Sequence, residues 1–238
     1  SVLLRDKLGD YIAGVSTVIT WVYADIGYEF ARQNPKDDLL ANIYLRPGNM
    51  ATHAKVALDG MRLAPELRKF LQYRPEVGVL YAPTAVLLDG KAYHDKLDEL
   101  YTALCFTGYR PRTLSERQLA AGDFGKTRVL FAAGAANVSD AALKGLKKFA
   151  AQGGRIIADA ESFRENEFGN PVSPAFAVER LGKPDAASLT SQIVRSVNPL
   201  PAGIRVKHES GNQGVFFRMV PAGDGSWQIG RASCRERV

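Results

Sequence analysis

The sequence predicts an α/β protein whose larger domain is built on a doubly wound parallel sheet. From residue 74 onward, short apolar runs of strand length alternate with amphipathic helical segments. Four such strands and three helices follow one another in about 85 residues, the rhythm of repeated strand–helix–strand units. There is no internal repeat and no low-complexity segment.

The first 72 residues predict a different arrangement, with only one strand. Apolar residues at helical spacing predict a helix over 2–13, and the β-branched run "TVITWVYAD" predicts a buried strand. The segment 26–49 is irregular and is expected to be a long loop. A helix is expected to begin at Met50, and a second to run from Pro65 through Leu71.

The character of the chain changes at "QYRPEVGVLYAP", where a proline at position 75 breaks the helix. Buried strands are predicted at Val77–Tyr81, Arg112–Leu114, Arg128–Ala132 and Arg155–Asp159. Between these strands the pattern predicts three helices. The first has one apolar face, formed by Tyr93, Leu97, Leu100, Tyr101 and Leu104. The second is short and spans Ser115–Ala121, and the third is capped by Ser139 and directs Leu143, Leu146 and Phe149 toward the core.

The pattern weakens after residue 159. "ESFRENEFGNPVSP" is expected to be a polar loop, 188–197 a helix, and 204–207 and 215–220 late strands. The order of elements from residue 74 predicts a flavodoxin-like domain over 74–227, a fold also used by class I glutamine amidotransferases.

The last residues, "QIGRASCRERV", are interpreted as foreign to the protein. Written back into codons, they match a common sequencing-library adapter, so 228–238 is treated as a non-native scar, and 229–238 is expected to pack against nothing. The segment holds three Arg and one Glu, a net charge of +2. The remaining chain therefore carries +6 minus +2, or +4.

Composition excludes several functional classes. A charge of +4 without the basic tail is only mildly basic, so we expect no nucleic-acid partner. Cys105 remains as the sole thiol, and His53, His94 and His208 are dispersed without ligand spacing, so no metal and no cofactor are expected. No apolar run is long enough for a membrane span. The chain starts at Ser1 without a methionine and is interpreted as an internal fragment.

Three stretches carry a family resemblance. "RPEVGVLYAPTAVLL", "YTALCFTGYRPRTLSERQL" and "KTRVLFAAGAANVSDAALKGLKKFAAQGGRIIAD" are similar to the middle domain of family 42 β-galactosidases, often called the trimerisation domain. In that family the domain follows the catalytic (β/α)8 barrel. The resemblance implies that residues 1–72 are the last βα units of the barrel.

The resemblance also implies a mechanism and a sugar site. The family hydrolyses glycosides with retention by using two glutamates at the ends of barrel strands four and seven. Both would lie upstream of Ser1, so no catalytic residue is expected here. Trp21 matches a family tryptophan at the end of strand eight, and Glu29 loosely matches a sugar-binding glutamate. The family usually has Arg after that Trp and His after that Glu, where this chain has Val22 and Ala31, so galactose specificity is not implied.

By the same resemblance, the α/β domain would serve assembly rather than chemistry. In the family it packs protomers together and helps to wall the active site of a neighbour. The partners implied are a carbohydrate substrate in the full-length parent protein and further copies of the chain, as a homo-oligomer and a trimer by analogy.

Two other readings of the sheet remain. In class I glutamine amidotransferases a nucleophilic Cys stands on a sharp turn after a strand, but the corresponding segment here, "FAAGAANVSD", has none. A degenerate, non-catalytic relative acting as a binding module is the alternative. Flavin binding requires a Ser/Thr/Gly-rich phosphate loop after the first strand, where "APTAVLLDG" supplies only Thr84.

Overall fold

The computed structural model describes residues 7, 9–12, 15, 47–73, 75–109, 111–197, 215–221 and 227–233. The chain divides into two compact units. One consists of residues 74–213, and the other combines 1–73 with 214–238. The predicted domain spans 74–227, whereas residues 214–227 are grouped with the N-terminal unit. The physical reason is that the strand beginning at residue 215 packs on a helix of that unit.

The unit 74–213 contains a five-stranded sheet in which every neighbouring pair is parallel. The strand order is β2-β1-β3-β4-β5. The strands are β1 (Val77–Tyr81), β2 (Arg112–Ser115), β3 (Val129–Ala132), β4 (Arg155–Ala158) and β5 (Glu179–Arg180). Strands β1 to β4 confirm the four predicted strands, and their ends differ from the predicted ends by at most one residue. An α/β protein with a parallel sheet is therefore confirmed.

The strands form where apolar residues run without interruption because both faces of the sheet are covered. Every residue of β3 is buried, as are the first four of β1. Gly78 lets Thr127 and the backbone of Arg112 pack closely against β1. A Cβ there would stand 2.9 Å from Thr127 Cγ2 and 3.4 Å from the carbonyl oxygen of Arg112.

Helices cover the sheet on both sides. They are α3 (Pro83–Cys105), α4 (Glu116–Ala121), α5 (Asp140–Ala151) and α6 (Ala186–Val197). One core cluster joins alternate strand residues such as Leu80 and Leu130 to Leu119 and Leu146 of α4 and α5. A second cluster joins the other strand face to α3 and α6 through residues that include Phe131, Leu100, Leu104, Leu189 and Ile193.

Caps fix where these helices begin. Ser139 accepts a hydrogen bond from the amide of Ala142, which confirms its predicted capping role. Ser115 and Gln118 form a reciprocal capping box at the start of α4. Lys144, Lys147 and Lys148 on α5 are exposed as expected. Gly90 interrupts the helical backbone of α3 and kinks it.

In the part that the structure describes, the other unit contains α1 (Pro47–Arg62), α2 (Ala64–Gln72), a helical segment at 9–12, and an antiparallel pair formed by β6 (Val215–Pro221) and β7 (Trp227–Ser233). Strand β6 packs against α2. Arg218 is buried, donates to the carbonyl oxygen of Ile12 at 3.0 Å, and lies over the rings of Phe70 and Tyr73. The predicted strand "TVITWVYAD" and the predicted strand at 204–207 lie outside the described residues.

The expectation that 229–238 packs against nothing is wrong for 229–233. These residues belong to β7, in which Ile229 faces Met219 across the ladder. Gly230 approaches so closely that a Cβ would stand 3.0 Å from side-chain atoms of both Ile12 and Phe70. Backbone pairing does not depend on a particular sequence, since an unpaired strand edge can bind any extended segment. The adapter-like origin of 228–238 therefore stays a hypothesis beside this pairing.

Ending the chain at residue 226 removes β7 and leaves the edge of β6 unpaired, with Ile12 and Phe70 uncovered. We expect the melting temperature of this truncated chain to fall by several degrees, where 1 kcal/mol corresponds to roughly 2–4 °C at this chain length. A chain ending at Ser233 is the matched control and is expected to melt like the full chain. Equal melting of all three in scanning calorimetry would show that β7 contributes no stability.

Candidate functional site

The natural place for a site in this unit is the carboxyl edge of the sheet. Open α/β sheets bind ligands outside the carboxyl ends of their strands, at the point where the strand order reverses. In the order β2-β1-β3-β4-β5, that point lies between β1 and β3. The segments that leave these two strands are 82–84 and 133–135, and they define what we call the carboxyl-edge crevice.

Tyr93 of α3 fixes the first of these segments. Its side chain is fully buried, and its hydroxyl accepts a hydrogen bond from the amide of Ala82 at 2.8 Å and donates one to the carbonyl oxygen of Leu80 at 3.1 Å. Burial, only partly opposed by the hydrogen bond from Ala82, raises the pKa of Tyr93 to about 12. A neutral phenol therefore holds the chain where it leaves β1.

Glu116 holds the start of α3 through Thr84. One carboxylate oxygen accepts from the amide of Thr84 at 3.3 Å, and the other accepts from the Thr84 hydroxyl at 2.8 Å. Thr84 lies in the first turn of α3, and free backbone amides at such a helix start attract anions. Glu116 is only 7% exposed. A buried carboxylate of the chain itself thus lies at the start of this helix.

The turn after β3 is closed in a similar way. Gly134 has a positive φ of 65°, and its amide donates to Asp159 Oδ2 at 2.9 Å. A Cβ on Gly134 would stand 2.8 Å from Lys96 Cδ, so the Lys96 side chain lies directly over the turn. Lys96 forms an ion pair with Glu161, which raises the pKa of the lysine.

Asp159 also organises the segment that follows β4. Its Oδ1 atom accepts from the amide and the hydroxyl of Ser162, at 2.9 and 2.7 Å, and from the amide of Glu161 at 3.2 Å. Both oxygens of this carboxylate are therefore used within the chain. The loops after β1, β3 and β4 are therefore each held by hydrogen bonds from side chains of the same unit.

This geometry leaves no place for nucleophilic catalysis at the turn after β3. A nucleophile elbow needs a side chain projecting from the turn and a free backbone amide for the oxyanion. Here the turn residue is Gly134, its amide is already engaged, and Lys96 covers it.

The residues predicted to bind sugar, Trp21 and Glu29, lie outside the described residues, as does His208. His53 is half-buried in α1, and His94 is exposed on α3, in the other unit. Cys105 is partly buried at the end of α3. Sequence reasoning missed Tyr93, Glu116 and Asp159 as organising residues. Only Asp159, directly after a buried strand, carried a signal that could have found it.

Within the described part of the chain, no helix combines the length and apolarity required to cross a membrane.

Comparison with known proteins gives similarity of structure only. No protein-family model and no curated protein sequence matches the chain. Among solved structures, the chain is similar to the apo exo-carrageenase of family GH42 from Bacteroides ovatus, with a TM-score of 0.61 at 15% identity over 76% of this chain and 25% of that one. The chain thus spans about a quarter of the length of that enzyme and shares a GH42-like fold with it.

Two β-galactosidases also match, at lower TM-scores. One is the E323A catalytic mutant of Gan42B, a GH42 enzyme from G. stearothermophilus, with a TM-score of 0.44 at 18% identity over 59% of this chain and 22% of that one. The other is from the psychrophilic Marinomonas ef1, with a TM-score of 0.44 at 12% identity over 76% of this chain and 39% of that one.

The buried phenol of Tyr93 makes a pH-dependent contribution to stability. Its folded pKa, about 12, lies above the unfolded value of 10.0, so the contribution is complete below pH 10 and is lost as pH rises toward 12. We expect the free energy of unfolding to lose up to roughly 2–3 kcal/mol across this window. Denaturant titrations of the protein and of the Tyr93→Phe variant across this pH window measure this loss of unfolding free energy. An identical pH slope above pH 10 in both proteins would contradict the assignment.

Loss of the Glu116 carboxylate should destabilise the unit. Glu116→Ala leaves two donors of Thr84 without their acceptor at the start of α3, which is expected to cost about 1–3 kcal/mol in urea unfolding. Arg117→Ala, at the exposed neighbouring position on α4, is the control and is expected to stay within about 0.5 kcal/mol. The capping role fails if the two variants unfold at the same urea concentration.

Proposed function

We propose that this chain is part of a β-galactosidase-like glycoside hydrolase in which the 74–213 unit serves assembly and active-site walling. The observation that carries the proposal is the fold shared with a GH42 exo-carrageenase over 76% of this chain. In this proposal the catalytic glutamates lie upstream of Ser1. The parent protein acts on a carbohydrate, and residues 1–72 are the end of its barrel.

Strand order supports a flavodoxin-like assignment of the 74–213 unit. Flavodoxin-like sheets have the order 2-1-3-4-5, and β1 to β5 follow it with every neighbouring pair parallel. In those proteins the ligand binds at the reversal between the first and third strands. Here Tyr93, Glu116 and Lys96 hold the segments that leave these strands. Segments held in this way support a structural role for the unit.

The start of α3 offers a surface for contact with another copy. Leu87 is 85% exposed and Leu88 is 58% exposed, and both precede the kink at Gly90. Adjacent exposed leucines are unfavourable in water and are typical of protein–protein contacts. They lie on the helix that leaves the carboxyl end of β1. We assign this surface to a homo-oligomer contact, which would be a trimer by analogy with the resembled family.

The proposed sugar contacts stay with the barrel end. At the carboxyl end of the eighth barrel strand, Trp21 would stack on a sugar ring, and Glu29 would accept hydrogen bonds from sugar hydroxyls. Neither residue reacts in this proposal. They would shape the rim of a site whose chemistry is supplied by the upstream glutamates.

The alternative is a degenerate amidotransferase-like domain that acts as a binding module. The observation in its favour is the sharp turn after β3, where Gly134 takes a positive φ as a nucleophile elbow requires. Such a module would need an accessible ligand surface at the same edge. The hydrogen bonds that already engage Glu116 and the amide of Gly134 argue against it.

Self-association tests the assembly role. We expect the 238-residue chain to sediment as an oligomer in analytical ultracentrifugation, and the double variant Leu87→Asp/Leu88→Asp to sediment as a monomer with an unchanged melting temperature. Val194→Asp, at an exposed apolar position of α6, is the control and should remain oligomeric.

Two outcomes would count against the proposal. A monomeric wild-type chain at all concentrations would remove the assembly role. Glutamine hydrolysis above the buffer blank would contradict the structural role of the unit, whereas hydrolysis of an aryl β-galactoside by this chain is expected to match the blank. Separately, an upstream reading frame that lacks two glutamates at the ends of strands four and seven would remove the glycosidase assignment.

A further inference from the structure

Helix α1 packs one of its faces against its own unit. On that face Val56 is only 5% exposed, and Gly60 lies so close to Tyr11 that a Cβ would stand 3.6 Å from the tyrosine ring. An α-helix has about 3.6 residues per turn, so positions half a turn away from Val56 and Gly60 point outward. When a helix packs on one side only, these outward positions are usually polar.

The outward side of α1 is nevertheless apolar. Met50, Leu58 and Met61 are 40%, 67% and 75% exposed, and Ala54 is exposed between them. Met50 and Met61 are separated by about three turns, so they lie on the same side of the helix. We call Met50, Ala54, Leu58 and Met61 the outer face of α1.

The sulfur atoms distinguish this face from other exposed apolar positions. The chain has three methionines, and two of them lie on the outer face of α1. The third, Met219, is only 4% exposed in β6, where it pairs with Ile229 of β7. Oxidation of a thioether to a sulfoxide requires contact between the sulfur atom and the oxidant. The fold therefore presents two thioethers to an oxidant in solution and protects one.

We infer that Met50 and Met61 form a reversible oxidation site, at which a hydroperoxide converts the outer face of α1 from apolar to polar. A lone pair of the sulfur attacks the terminal oxygen of the hydroperoxide, so an S–O bond forms and the O–O bond breaks. The proton of that oxygen passes to the departing oxygen, which leaves as water or an alcohol. The sulfur is oxidised to the sulfoxide and the peroxide is reduced.

The position of Leu58 increases the effect of this oxidation on the surface. Leu58 lies about one turn before Met61, so the two side chains are neighbours on the helix surface. A sulfoxide at Met61 places a strong dipole beside a leucine that cannot be oxidised, and the apolar surface is interrupted. The packing of α1 through Val56 does not involve this side of the helix. The fold is therefore expected to tolerate the oxidation, and the inference does not depend on the glycosidase assignment.

Peptide mapping of the full chain after timed exposure to hydrogen peroxide tests the oxidation site. We expect Met50 and Met61 to gain oxygen at least about tenfold faster than Met219, because only their sulfur atoms are accessible. In urea, where the chain is unfolded, the three methionines should be oxidised at similar rates. The melting temperature of the folded chain should stay within about 1 °C while only the two exposed methionines are oxidised.

The change in surface polarity has its own measurement, retention on a hydrophobic-interaction column. Peroxide should shorten the retention of the protein, and treatment with the two methionine sulfoxide reductases should restore it. The double variant Met50→Leu/Met61→Leu is the matched control, since leucine keeps the size and the apolar character of methionine. Its retention should not change with peroxide, although it retains Met219 and the cysteines.

Three outcomes would overturn the inference. The first is oxidation of Met219 in the folded chain as fast as that of Met61. The second is an equal change of retention in the protein and in the double variant, which would place the change at another residue. The third is a melting temperature that falls in step with the oxidation of Met50 and Met61, since these side chains would then be part of the packed core. None of these outcomes affects the proposed function.

Discussion

The hydrogen bonds of the Tyr93 hydroxyl are the interaction on which the carboxyl edge of the sheet depends. They hold Leu80 at the end of β1 and Ala82 before α3 in one geometry. This geometry sets where α3 begins and so brings Thr84 to the carboxylate of Glu116. A parallel sheet buried on both faces has few polar groups in its core. One phenol that satisfies two backbone groups there therefore has a large effect on the conformation of the chain at this edge.

Other side chains also hold loop segments along this edge through hydrogen bonds or close packing, and this recurrence favours a structural role for the unit. Glu116 holds the start of α3, Asp159 holds the turn at Gly134, and Lys96 lies over that turn. In open α/β sheets, ligands bind at this edge, outside the carboxyl ends of the strands. Polar groups that are already satisfied within the chain cannot bind or polarise a substrate without first losing their partners, and that loss carries a cost.

The sequence predicted the elements that local pattern determines and missed those that depend on distant partners. The apolar runs of β1, β3 and β4 and the serine caps are local signals, and they were sufficient. Strand β5 has two exposed charged residues and exists only through its pairing with β4, which no periodicity reveals. The role of Glu116 depends on Thr84, 32 positions away in sequence. Trp21 and Glu29 stay predictions because they lie outside the described residues.

The two edges of the sheet differ in how fully their polar side chains are hydrogen-bonded within the chain. At the carboxyl edge, the carboxylates of Glu116 and Asp159 accept hydrogen bonds from donors within the chain. At the amino edge, the hydroxyl of Thr127 and the guanidinium of Arg128 have no partner in the described part of the chain. Groups that are satisfied within the chain stabilise the fold, whereas a buried hydroxyl without a partner lowers its stability. The two edges of the sheet therefore contribute to the stability of the unit with opposite signs.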